Sequence, residues 1–353
     1  MPTSLARRTP HFCLLLVISI VGCGHDKGSP SPDKGGESGD TGKIIAPTKR
    51  MLAEAMPGAE QRLTAGYPFL TADGKQFGYT YSSGKTLETR FFDISVEPKK
   101  LAAHPGRMVA FSPDGTAYLR DGNLHEIVNT QTGASTGSLK EPADAVFFVD
   151  KNRVVGVKRY AGLTAVRIYD HQGRMVGAFD SKDEMKLVTV APANDRRDLV
   201  LALDFASKVR WYDLDTKKAK AELSLPNDSP PWAGFRVSPN GKWFAMKRGP
   251  KPLEIFDART GAVAATISAP VNQDRAGFCA NRDVYLTTLS VSRGVASGPI
   301  DIIAFDVNRR ETVATFRGHE SGITFLSLSD DGSRMVTTDE RGEVMLWNLN
   351  DLP

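Results

Sequence analysis

A short apolar run closed by an aromatic or aliphatic residue and then Asp or Asn recurs seven times in this chain. It stands at Phe91–Phe92–Asp93, Ile127–Val128–Asn129, Ile168–Tyr169–Asp170, Trp211–Tyr212–Asp213, Ile255–Phe256–Asp257, Ala304–Phe305–Asp306 and Leu346–Trp347–Asn348. Successive Asp or Asn positions lie 36, 41, 43, 44, 49 and 42 residues apart. A near-constant period of this size dominates every other constraint on the fold. Each unit must be one supersecondary element that buries its faces against its neighbours.

Inside the unit the marks are those of short strands. A tight polar turn joins two apolar runs at Ser112–Pro113–Asp114–Gly115, Ser238–Pro239–Asn240–Gly241 and Ser329–Asp330–Asp331–Gly332, with weaker forms at Thr71–Ala72–Asp73–Gly74 and Asp150–Lys151–Asn152. Pro presets φ, and Asp or Asn before Gly supplies the positive φ that such a turn needs. A second turn follows the periodic acid, as in Asp257–Ala258–Arg259–Thr260–Gly261, before the run Ala262–Val263–Ala264–Ala265–Thr266–Ile267. Four short strands per unit of this length define a β-propeller blade, so the expected fold is all-β, with seven four-stranded blades over residues 60–353. Helical patterning is confined to Lys49–Met56, stopped by Pro57–Gly58, in a lead-in over residues 44–59. After Asn348 only five residues remain, too few for a last outer strand. The segment around Gln61–Arg62–Leu63–Thr64 is expected to supply it, because an open edge invites aggregation.

The N-terminus has the layout of a secretory signal peptide over residues 1–22. Arg7–Arg8 precede an apolar core much shorter than the ~20 residues that span a bilayer. Its end, Ile20–Val21–Gly22–Cys23, resembles a bacterial lipobox. That resemblance implies cleavage before Cys23, lipid on its sulfur and, with Gly24 rather than Asp next, retention in the outer membrane. Residues 23–43 lack any large apolar side chain before Lys43 and read as a disordered tether with a reach of roughly 25 Å. Removing residues 1–22 takes away two of the 45 basic residues and none of the 41 acids. The near-neutral remainder offers no electrostatic case for a nucleic-acid partner. With Cys13 in the leader and Cys23 lipidated, Cys279 has no disulfide partner.

The last unit carries a family resemblance. Gly318–His319, Asp331–Gly332, Val336–Thr337–Thr338 and Val344–Met345–Leu346–Trp347–Asn348 look like a WD40 repeat. The resemblance implies a buried network of His319, a hydroxyl of Thr337 or Thr338, and Trp347; the family's turn Asp is replaced by Arg341. The other units keep only the terminal acid and the turn. Thr260–Gly261 and Thr132–Gly133 also resemble turns of the propeller lipoprotein in the outer-membrane β-barrel assembly machinery. Periplasmic Tol-system propellers share the Ser–Pro–Asp–Gly turn. All of these resemblances imply a scaffold.

Chemical signatures are weak. Gly133–Ala134–Ser135–Thr136–Gly137 fits G-x-S-x-G, but that motif presents a nucleophile only at a strand-to-helix turn, and no helix follows. His25, His104, His125, His171 and His319 have no metal-like spacing, and no dinucleotide or phosphate loop occurs. Neither a cofactor nor a metal is expected. All seven loops between second and third strands carry a base: Lys85, Arg120, Lys158 and Arg159, Lys208, Lys247 and Arg248, Arg293, and Arg341. The partner-binding candidates are Trp232, Lys247, Arg248 and Lys251, on loops of the fifth blade that emerge together. An exposed Trp among prolines and cations suits an interface hot spot. The expectation is a monomeric, membrane-anchored, non-catalytic scaffold for an envelope protein; the alternative is an envelope enzyme or small-ligand binder using the central channel.

Overall fold

A computed structural model describes residues 42–52, 64–65, 68–83, 86–160, 163–181, 187–193, 197–203, 208–225, 232–248, 251–279, 281–289 and 300–353. The expected signal peptide, Cys23 and the expected tether up to residue 41 lie outside them. The described strands form seven sheets, one per repeat. From inner to outer strand, blade 1 is Thr64–Ala65 with Phe69–Leu70, Gln76–Ser83, Thr86–Asp93 and Lys99–Pro105. Blade 2 is Met108–Phe111, Ala117–Arg120, Glu126–Asn129 and Ser135–Ser138; blade 3 is Ala145–Phe148, Arg153–Tyr160, Leu163–Asp170 and Met175–Ser181. Blade 4 is Leu187–Ala193, Asp198–Leu203, Lys208–Asp213 and Lys218–Ser224; blade 5 is Trp232–Val237, Trp243–Arg248, Leu253–Asp257 and Val263–Ile267. Blade 6 is Val271–Cys279, Val284–Leu289, Ile302–Asp306 and Glu311–Phe316; blade 7 begins Ile323–Leu328, Arg334–Asp339 and Glu343–Asn348.

The fourth strand of blade 7 is Lys49–Leu52, antiparallel to Glu343–Asn348 with Met51 opposite Val344. This corrects two expectations. The lead-in forms a strand where a short helix was expected, and Thr64, expected in the closing strand, lies in blade 1 opposite Ser82. Two isolated helical turns are marginal in water. The bare edge of Glu343–Asn348 instead offers backbone hydrogen bonds, and Met51 packs against the buried cluster that joins blades 7 and 1. The propeller therefore begins well before residue 60. Upstream, Lys43–Ile45 adds a parallel fifth strand to blade 6, with Ile45 opposite Phe316. Between these strands Pro47 lies against Gly318, and Thr48 donates from both its amide and its hydroxyl to the Leu346 carbonyl.

Seven buried clusters each join two consecutive blades. Phe91 packs with Tyr118 between blades 1 and 2, Leu119 with Phe148 between 2 and 3, and Val155 with Tyr212 between 3 and 4. Trp211 and Phe244 join 4 and 5, Ile255 and Tyr285 join 5 and 6, and Leu286 and Met345 join 6 and 7. Phe77 and Val344 close the ring between 1 and 7. Each fully buried large side chain stabilises the fold by about 1.5–3 kcal/mol relative to exposure. The repeated aromatic of the sequence pattern is thus core.

The periodic acid builds the turn between third and fourth strands. Asp257 accepts from the amides of Arg259 (3.0 Å) and Thr260 (2.8 Å), and Asn129, Asp213 and Asp306 repeat the arrangement. Gly133 and Gly261 have φ near +70° at the fourth following position, where Lys217 and Arg310 adopt φ of 59° and 61°. These turns and the first-to-second-strand turns share one face, here called lower. Across the seams, Ala72 N–H donates to Pro113 O and Asp331 N–H to Ala72 O. The opposite face, called upper, carries the described second-to-third-strand loops at 121–125 and 340–342 and the described connection between blades 6 and 7 at 317–322.

Candidate functional site

Among the described residues, the polar cluster richest in chemistry-bearing groups is on the upper side of blade 7. Trp347 Nε1 donates to Thr337 Oγ1 at 2.8 Å, and Thr337 Oγ1 lies 2.6 Å from His319 Nε2. Indole is only a donor, so the threonine proton is directed to Nε2 and leaves the Nδ1 proton for Asp339. His319 Nδ1 lies 3.4 Å from Asp339 Oδ2, and both side chains are fully buried. Ser321 donates to the same oxygen at 2.6 Å, while the amides of Arg341 and Glu343 donate to Asp339 Oδ1 at 2.9 and 2.8 Å. Burial pushes the Asp339 pKa up, but the hydrogen bonds from His319, Ser321 and Glu343 N–H hold it below the ordinary carboxylate value. Burial and the nearby Asp339 charge push Glu343 up.

Asp339, missed in the sequence, stands in for the turn acid that Arg341 displaces. It lies two residues before the family's position, and its signal was no more than an Asp after two strand threonines. Ser321 likewise carried no sequence signal. Ligand atoms of His319, Asp339 and Glu343 lie within 4.8 Å of one another. They suit a metal poorly, because His319 Nε2 takes the Thr337 proton and Nδ1 faces Asp339, whose oxygens already accept three further donors. The cluster pins the connection between blades 6 and 7 to the second and third strands of blade 7.

The G-x-S-x-G residues are also structural. Gly133 has φ +70° in the second polar turn, with the His104 ring against it. A Cβ on Gly137 would lie 2.2 Å from the Gln172 carbonyl oxygen of blade 3. Ser135 donates to Gly137 O at 3.2 Å, and Thr136 to His171 O at 3.0 Å. Small residues are needed where this outer strand meets the next blade. Cys279 is buried, donates to Gly332 O, and has its thiol pKa pushed up by burial.

Among the blade 5 candidates, Trp232 is directly opposite Arg248 and Ala233 opposite Lys247, in the first two strands. The side chains of Trp232 and Arg248 lie outside the described residues. Lys251 precedes the third strand. Lys85 and Arg293, in the other loops, lie outside the described residues. A further polar junction, not foreseen from sequence, ties the lower sides of blades 5 and 6. Asp283 accepts from Trp243 Nε1 (2.7 Å), Lys242 Nζ (2.6 Å) and Asn308 Nδ2 (2.7 Å).

A closed ring of seven blades whose final blade carries this His–Asp–Thr–Trp chain is a WD40-like β-propeller, divergent in its other blades. Residues 310–348 match the family model described as WD domain, G-beta repeat. WD repeat-containing protein 91 of Xenopus tropicalis is 20% identical over 368 residues, covering 91% of this chain and 47% of that protein. The Pongo abelii protein of the same name is 22% identical over 211 residues, covering 52% of this chain and 28% of its own length. The chain thus spans less than half the length of these curated relatives. A chain in the crystal structure of a mitotic checkpoint complex has a TM-score of 0.58, covering 94% of this chain and 99% of its own at 13% identity. That likeness concerns the fold alone.

Proposed function

We propose that this protein is a non-catalytic interaction scaffold of the bacterial cell envelope, exported by its signal peptide and held at a membrane by lipid on Cys23. The carrying observation is that the cluster most able to do chemistry among the described residues, His319 with Asp339, is buried and hydrogen-bonded throughout. What the fold offers a partner is its broad upper face, where Trp232, Lys247, Arg248 and Lys251 are the contact candidates. The lipid concentrates the domain at a surface, and the tether lets that face search for its partner. Cross-linking in intact cells, followed by detergent extraction and mass spectrometry of wild type beside Cys23→Ala, tests this. A stoichiometric envelope partner lost from the unanchored variant is expected. Recovery of anchored protein alone would sink the scaffold reading.

A further inference from the structure

The outermost strand of each blade ends a sheet, and a bare strand edge is a template for another chain unless it is guarded. Most of the described edges are guarded. The blade 1 edge carries Lys99, Lys100 and Pro105, the blade 4 edge Lys218 and Lys220, and the closing strand of blade 7 Lys49 and Arg50. The blade 2 edge is four residues long, with Gly137 packed on the Gln172 backbone of blade 3, and Lys43–Ile45 already covers the blade 6 edge. Blade 5 ends in five residues, of which only Val263 and Thr266 are exposed. Blade 3 departs from this pattern, because Met175–Ser181 is seven residues long without Lys, Arg or Pro. Its Met175 and Val176 are 51% and 52% exposed, and Ala178 is exposed as well. Its one charge, Asp180, is taken by Arg167 at 2.7 Å. Among the described residues, 175–180 make no backbone hydrogen bond beyond their pairing with Leu163–Asp170.

We infer that the outer edge of blade 3 is a docking site for an extended, uncharged segment of a protein partner, which joins the sheet as a fifth strand. The site is on the side wall, apart from the upper face, and so goes beyond the scaffold reading above without depending on it. The row of backbone N–H and C=O groups along the edge specifies extended chain, since main-chain hydrogen bonds supply the affinity in strand addition. The molecule itself uses this mode at blade 6, where Lys43–Ile45 pairs with Glu311–Phe316. The blade 3 edge is also held in place for a partner. Phe179 stacks on Tyr212 of blade 4 with ring centroids 5.1 Å apart, and the Lys217 side chain lies against Gly177. A strand fixed in advance costs less ordering on binding. With Asp180 neutralised, a charged segment gains nothing there, whereas Met175 and Val176 offer apolar contact to β-branched residues. A second copy of this chain fits less well, because stable pairing takes roughly 20–30 residues a side and this edge has seven.

The test uses the full-length protein in detergent, a fluorescent octapeptide of alternating Thr and Val as probe, and anisotropy as readout. Met175→Lys/Val176→Lys is compared with Val263→Lys, a control on the blade 5 edge, and circular dichroism checks that both variants remain folded. Binding by wild type, weakened at least about tenfold in the blade 3 variant and unchanged in the control, is expected. The same octapeptide N-methylated at every residue has no backbone donors and is expected not to bind. Hydrogen exchange of wild type with the probe is expected to slow across residues 175–181 and not across 263–267, a readout that needs no variant. No binding by wild type, equal binding by wild type and the blade 3 variant, binding of the N-methylated peptide, or protection elsewhere overturns the inference. Sedimentation of wild type as a dimer that the blade 3 variant abolishes would assign the edge to a second copy and also overturn it.

Discussion

Trp243 Nε1 donates a 2.7 Å hydrogen bond to Asp283 Oδ1 across the seam between blades 5 and 6. The same carboxylate accepts Lys242 and Asn308, and the Lys242 ammonium lies 4.7 Å from the centroid of the Trp243 ring. Asp283→Ala leaves a nearly buried indole N–H without its acceptor, a loss of about 1–3 kcal/mol. Asp283→Asn keeps one acceptor and is expected to lose less. Urea midpoints at neutral pH check the order. Equal midpoints for Asp283→Ala and wild type would show that the junction contributes nothing.

Two acids of this ring and one neighbour give opposite pH signatures. Burial raises the pKa of Asp283 and of Asp339, but their hydrogen bonds outweigh it and both end below the ordinary value. A depressed native pKa contributes stability that is present above the unfolded value near 3.8 and is lost as pH falls through the native value. Glu343 is raised above 4.5, first by burial and then by Asp339, so its ionised form is disfavoured in the native state. Its contribution is favourable below 4.5 and is lost as pH rises through the native value. Glu343→Gln is therefore expected to gain stability at neutral pH, with the gain vanishing below pH 4.5. Denaturation series across pH read this directly; a pH-independent difference would contradict it.

The G-x-S-x-G segment separates chemistry from packing. Gly137→Ala would set a Cβ 2.2 Å from a backbone oxygen, which cannot move aside as a side-chain end can. The strain is expected to cost roughly 1–3 kcal/mol. Ser135→Ala removes one exposed hydroxyl contact and should shift stability by less than about 0.5 kcal/mol. Thermal melts of both variants decide the matter. A large effect of Ser135→Ala with a silent Gly137→Ala would point away from packing.

Closure depends on a segment far away in the chain. Deleting residues 1–48 removes the parallel strand on blade 6, while deleting residues 1–52 also removes the closing strand of blade 7. The second deletion exposes the backbone edge of Glu343–Asn348 and uncovers the cluster where Met51 packs. It is expected to aggregate through that edge and to melt less cooperatively than the first. Light scattering and calorimetry distinguish them, and identical behaviour would mean that the ring closes without Lys49–Leu52.

Much of the fold was legible because its signals are local. The periodic acid marks a turn that it builds with amides only two and three residues away, and the aromatic before it marks a blade core. Seven such marks determined seven blades. His319, Thr337 and Trp347 stood out through a family pattern of fixed spacing. Partner choice between distant segments was not legible. Lys49–Leu52 has a locally helical pattern, and only the bare edge of a strand almost 300 residues later makes it a strand; Thr48 Oγ1 bonds Leu346 O across a separation of 298 residues. Asp339 replaced the acid missing at Arg341 because the turn places it beside His319, a relation that spacing alone did not carry. Local hydrogen-bonding and hydrophobic period were thus determined by sequence, whereas tertiary structure decided edge pairing and buried polar partners, since each requires two remote segments to meet.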